Sequence, residues 1–119
     1  MKILSPFGPK IAVIKIPKNI INKINKEVDK ILGNEKRLKK SDYSSKLVGE
    51  VRHEIKLNSK FIKKNLIKFI GTSVKKYIKK GINKDVKKIN LLNLWVVRQF
   101  KNEYNPIHFH SGNISGVGY

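Results

Sequence analysis

An α+β fold is predicted by three features of this sequence. Two stretches with helical apolar spacing come early, the strongest strand-forming run comes after them, and turn residues separate short extended pieces near the end. Helices followed by sheet suit an arrangement in which the helices back a mostly antiparallel sheet. The 119 residues suit one small domain, although the chain is short for a two-layer β fold decorated with helices.

Residues 11–16 (IAVIKI) are β-branched and nearly continuously apolar, which predicts a strand ended by Pro17. From residue 18 to 32, Ile20, Ile21, Ile24, Val28, Ile31 and Leu32 fall on one stripe of a helix, with Lys and Asn opposite. Gly33-Asn34 supplies a stop. Residues 35–45 are polar and predict a loop. Residues 47–57 (LVGEVRHEIKL) predict a strand or extended segment, with Val51 and Ile55 inward and Arg52 and Glu54 outward. Asn58-Ser59 offers a helix cap. Phe61, Ile62, Leu66, Phe69, Ile70, Val74, Tyr77 and Ile78 keep helical spacing, and Gly81 closes that helix. Residues 89–100 (INLLNLWVVRQF) form the best strand candidate, 101–105 a turn, and 106–110 and 114–119 two further extended pieces around Ser111-Gly112-Asn113. The chain divides into a support region of one strand and helices over 1–88 and a strand-rich region over 89–119, with no internal repeat or linker.

Charge is the most unusual number: 27 basic against 8 acidic residues, a net +19. Such a surface attracts polyanions, and a basic nucleic-acid-binding module is one reading of the chain. Against it, only Arg37, Arg52 and Arg98 are arginines. Bidentate phosphate and base contacts favour arginine over lysine. Lys, Ile and Asn also run high together, the bias that AT-rich codons impose. Weak non-specific polyanion binding is the expectation from charge alone. With no cysteine, disulfides and thiolate metal sites are excluded, which suits a reducing cytoplasm, the expected location. No apolar run approaches the ~20 residues of a membrane span, so no membrane partner is expected.

The residues with chemical potential are histidines. His53 stands alone in a charged extended segment and reads as a surface or lining residue. His108 and His110 are two apart on a predicted strand, so both side chains leave the same face. Two imidazoles so placed chelate a first-row divalent metal, or are simply two surface or core histidines. Pro106 sets the approach extended, Ser111-Gly112 turns the chain afterwards, and Tyr104, Ile107 and Phe109 are candidates for dry walls. Phosphate loops, nucleophile elbows and paired-carboxylate signatures are absent, and Asp42 and Glu103 read as isolated, solvated acids.

Taken together, Trp95, then Asn102-Glu103-Tyr104-Asn105-Pro106-Ile107-His108-Phe109-His110, then Ile114-Ser115-Gly116-Val117-Gly118-Tyr119 resembles the iron(II)- and 2-oxoglutarate-dependent oxygenases common in marine bacteria and their phages. That family has a tryptophan-bearing strand, a P-x-H-x-H segment and an S-G-V-x-Y strand. Lys46-Leu47-Val48-Gly49-Glu50-Val51 is similar to its L-x-G-x-I element. The specific part of the resemblance is the last stretch of the chain; the N-terminal helices match in type and order only.

The resemblance implies that 89–119 are the first strands of a double-stranded β-helix (jelly roll), with the N-terminal helices packed on them. It implies iron(II) and 2-oxoglutarate as cofactors of the full-length protein and a hydroxylation-type reaction on a substrate it does not name. His108 matches the first metal ligand. His110 falls where the superfamily has a carboxylate, and is either a second neutral ligand or a group supporting the first. A third assignment makes His110 the first ligand with Gly112 in the acid slot. Tyr104 and Trp95 are candidates for lining the cofactor pocket, and are equally expected as core residues. No residue of this chain matches a catalytic position beyond these. The family's distal histidine and basic 2-oxoglutarate anchor have no counterpart before Tyr119. The chain is therefore expected to be the N-terminal part of such a domain and inactive as it stands.

Overall fold

The computed structural model describes residues 1–44 and 50–119. Their fold is α+β, with four helices and two two-stranded antiparallel sheets among the described residues. Neither sheet closes into a barrel or stacks as a jelly roll.

The N-terminal residues form a hairpin. Strand β1 (Lys2–Leu4) pairs with β2 (Ile11–Val13), Ile3 opposite Ala12. The predicted strand at 11–16 therefore stops at Val13, ahead of Pro17. In the connecting loop Gly8 adopts a φ of 107°, a region open to glycine, and its carbonyl accepts from Ser5 Oγ at 3.1 Å.

Helix α1 (Lys18–Leu32) has the predicted bounds. Pro17 presets its first turn and accepts the backbone N–H groups of Ile20 and Ile21. Its apolar stripe buries Val28 and Ile31. Residues 35–41, read as loop, are helix α2 (Glu35–Ser41). The signals are terminal rather than periodic: Asn34 Oδ1 caps Arg37 N at 3.0 Å, Glu35 faces the positive end, and Lys39 and Lys40 face the negative end. Leu38 gives it one anchor against the core.

The second sheet pairs β3 (His53–Lys56) with β4 (Trp95–Arg98), Ile55 opposite Val96 and Glu54 opposite Val97. The rest of the predicted 47–57 strand divides. Residues 45–49 lie outside the described residues, so the L-x-G-x-I element is seen only from Glu50, which pairs with Tyr104 in an isolated bridge. Only Trp95–Arg98 of the predicted 89–100 strand is paired, because β3 offers four partner residues. The stretches 106–110 and 114–119, expected to be extended, form no strand among the described residues.

Asn58 caps the next helix as predicted, its Oδ1 accepting from Phe61 N at 2.8 Å. That helix is two: α3 (Ser59–Asn65) and α4 (Ile67–Ile82), broken at Leu66 (φ −118°, ψ −36°), which turns into the core. Closure is not at Gly81 but two residues on, where Asn83 takes the left-handed conformation (φ 53°, ψ 36°) that asparagine tolerates. Gly81 is instead buried beside Tyr77, where Lys10 Nζ donates to its carbonyl. Tyr77 Oη donates to Lys10 O at 2.7 Å, so the hairpin and α4 are latched together twice.

The core joins α1, β3 and the α3–α4 corner: Val28, Ile31, Ile55, Leu57 and Leu66, with Ile24, Phe61 and Val96 packed around them. Each buried side chain contributes about 1.5–3 kcal/mol. The core is small for the chain. The radius of gyration, 15.5 Å, exceeds the ~13.5 Å expected of a compact domain of this length. Much of the excess surface is C-terminal: Ile107, Phe109, Val117 and Tyr119 stand in solvent.

Candidate metal centre

The sheet fixes which side chains share a face. Ile55 and Val96 point to the core, and Arg98 on that face donates to Asp29 of α1 at 3.0 Å. Glu54, Lys56, Trp95 and Val97 occupy the other face. Tyr43 crosses it: its N–H donates to Glu54 O at 2.8 Å, and its ring lies 6.2 Å from that of Trp95 and 5.0 Å from Lys56 Nζ.

His110 packs against Trp95, with ring centroids 5.6 Å apart, and His108 meets His110 edge-on at 4.6 Å. The two Nε2 atoms are 3.1 Å apart. The two rings therefore meet although the expected strand is not formed, and both histidines are exposed. The turn at Lys101-Asn102 (φ 68° at Asn102) and the Glu50–Tyr104 bridge return the chain over the sheet face. After His110, Gly112 at φ 106° turns it away; a Cβ there would lie 3.3 Å from Leu92.

The hydrogen bonds determine the tautomer. His108 Nδ1 lies 2.7 Å from the carbonyl oxygen of Pro106, which only accepts. Nδ1 therefore carries a proton, and in the neutral form of the ring Nε2 presents its lone pair towards His110. Without a metal, His110 Nε2–H fills that gap as a donor. With metal–nitrogen bonds of about 2.1 Å, two imidazoles at right angles place their nitrogens about 3.0 Å apart, and about 3.4 Å in a tetrahedron. The observed 3.1 Å separation matches this spacing in length and is also that of a direct ring-to-ring hydrogen bond. Among the described residues no third His, Cys, Asp or Glu joins them in a metal-binding group.

The walls differ from expectation. Ile107 and Phe109 alternate with the histidines and are fully exposed, so they give the site no dry lining. Tyr104, the cofactor-lining candidate, joins the framework through its backbone, and its side chain is half exposed. Trp95 alone of the expected lining residues touches the pair. His53 packs edge-on to Phe100 at 6.3 Å.

Sequence reading missed Glu54. Predicted to point outward, it is 1 % exposed, and its Oε2 has no hydrogen-bond partner among the described residues. Burial pushes its pKa up; the Asn105 amide and the charge on His108 oppose this, and Asp42 adds to it. Asn105 and His108 belong to the segment folded over this face, so the carboxylate lies under the histidine loop. Its neighbours Arg52 and Lys56 are exposed, and nothing local marks Glu54 as different. The two acids read as solvated also have partners. Asp42 accepts from Ser44 Oγ (2.6 Å) and Ser44 N (3.0 Å), which hold its pKa below the ordinary value. Glu103 accepts from Phe100 N at 2.9 Å and pairs with Arg52 at 3.6 Å.

No family model, curated protein or solved structure matches this chain.

Proposed function

We propose that His108 and His110 are the imidazole ligands of an iron(II) centre of the 2-oxoglutarate-dependent oxygenase type. The observation that carries this reading is the 3.1 Å approach of the two Nε2 atoms, with His108 held in the ligating tautomer by Pro106. An imidazole whose other nitrogen donates to a backbone carbonyl is the usual form of a metal-bound histidine. Iron so held would supply oxygen activation for hydroxylation of a bound substrate. Trp95 keeps the His110 ring in place. On this reading His110 is a ligand, standing where the resembled family has a carboxylate.

Among the described residues no third His, Cys, Asp or Glu gathers beside the pair, so the two imidazoles are the protein ligands this reading assigns. The same reading makes β4 and the segment after it the first strands of a double-stranded β-helix. It is supported by the apolar side chains of Ile107, Phe109, Val117 and Tyr119, which stand in solvent where further strands would cover them.

The test is anaerobic calorimetric titration of the chain with iron(II), with and without 2-oxoglutarate. One ion should bind per chain, and His108→Ala or His110→Ala should weaken binding at least tenfold. Unchanged affinity in both variants overturns the assignment.

A further inference from the structure

Lysine is not distributed as codon bias alone would place it, because the carboxylates are excluded from part of the chain. Before Glu27, and again between Glu54 and Asp85, every charged side chain is a lysine. These two segments supply the first half of α1 and all of α3 and α4. They meet along a groove of about 400 Å³ at the α3–α4 corner. Lys23 of α1, Lys64 of α3 and Lys68 of α4 stand exposed on its walls, with Asn19 and Asn65 between them and Phe69 half-buried in its floor. Among the described residues, the ion pairs all lie elsewhere: Arg37–Glu27, Arg52–Glu103, Lys79–Asp85 and Arg98–Asp29. Three cations therefore converge from three helices with no carboxylate among them.

We propose that this groove binds the phosphodiester backbone of a single-stranded nucleic acid. Lysine ammonium groups are mobile point charges that meet successive phosphates, and the asparagine amides donate to phosphate oxygens. The Phe69 ring offers a surface on which a base stacks. The shape selects the strand. A duplex is read by an element that projects into its groove, whereas this site is concave. An anionic membrane would engage a convex face with protruding apolar side chains, but here Ile20 and Phe69 are half-buried while the lysines are exposed. The proposal does not depend on the histidine pair.

The experiment is fluorescence anisotropy of a short labelled oligothymidylate with the full chain over ~50–200 mM salt. A groove variant carrying Lys23→Gln, Lys64→Gln and Lys68→Gln is compared with a control carrying Lys39→Gln, Lys40→Gln and Lys101→Gln. All six lysines are exposed, and both variants lose the same charge. The groove variant should lose affinity at least tenfold and flatten the plot of log K against log salt by about 2, at about 0.7 per phosphate contact. The control should change less than threefold. Equal losses in the two variants would mean that net charge alone attracts the oligonucleotide. Loss of binding to phosphatidylserine vesicles but not to the oligonucleotide would make the groove a lipid site. Either result overturns the proposal.

Discussion

Replacing Glu54 by glutamine should stabilise the fold at neutral pH, an unusual outcome for a buried position. The carboxylate is 1 % exposed, and one oxygen has no partner among the described residues. Leaving a buried charged oxygen unsatisfied costs about 1–3 kcal/mol, part of which Asn105 and His108 return. Glutamine keeps the shape and the acceptor facing Asn105 and removes the charge, although its amide N–H groups take the unpartnered position, so Glu54→Gln should gain about 1 kcal/mol at pH 7. The sign with pH follows from the raised pKa. The folded state holds this proton to higher pH than the unfolded chain, whose carboxyl titrates near the model value of 4.5. Below that value both states are protonated and there is no penalty. As pH rises through the folded pKa, the wild-type protein loses stability that the variant keeps. Urea unfolding of both proteins at pH 4 and pH 7, with chelator present, measures the difference. The gap should be small at pH 4 and open at pH 7. A variant no more stable at pH 7, or a gap equal at both pH values, refutes the reasoning.

Other consequences follow from packing and capping. Ile55 is fully buried at the centre of the core, so Ile55→Ala should cost about 3–4 kcal/mol in urea unfolding, and a loss below 1 kcal/mol would mean that the core is misplaced. Asn58→Ala removes the cap of α3 and should cost about 1 kcal/mol, whereas Asn58→Asp should retain most of it; equal loss in both would deny the cap its role.

What was legible in the sequence was what periodicity and capping encode. The apolar stripe of α1 gave both ends of the helix, and Asn58 marked the start of α3. Helix α2 carries one apolar residue, Leu38, so no period reveals it, and its cap Asn34 sits where α1 also ends. The helix break at Leu66 keeps the apolar spacing unbroken, because the residue turns inward rather than out. Strand calling failed towards the C-terminus for a related reason. Extended character is local, but a strand requires a partner, and β3 offers four residues to the twelve predicted in 89–100. The site was legible in part. The two histidine rings meet, but the strand expected to carry them is not formed, and Ile107, His108, Phe109 and His110 are all exposed, so the segment has no buried face. The burial of Glu54 depends on a segment some fifty residues away folding over it, which a local pattern does not contain.

The most direct measurement on the histidine pair is long-range nitrogen NMR of the three imidazoles during titration with zinc(II), a diamagnetic substitute for iron. Before metal is added, His108 should carry a proton on Nδ1. On titration, Nε2 of His108 and of His110 should shift with a common midpoint, while His53 stays unchanged. Shifts confined to one ring, or shared equally by all three, would contradict a chelating pair.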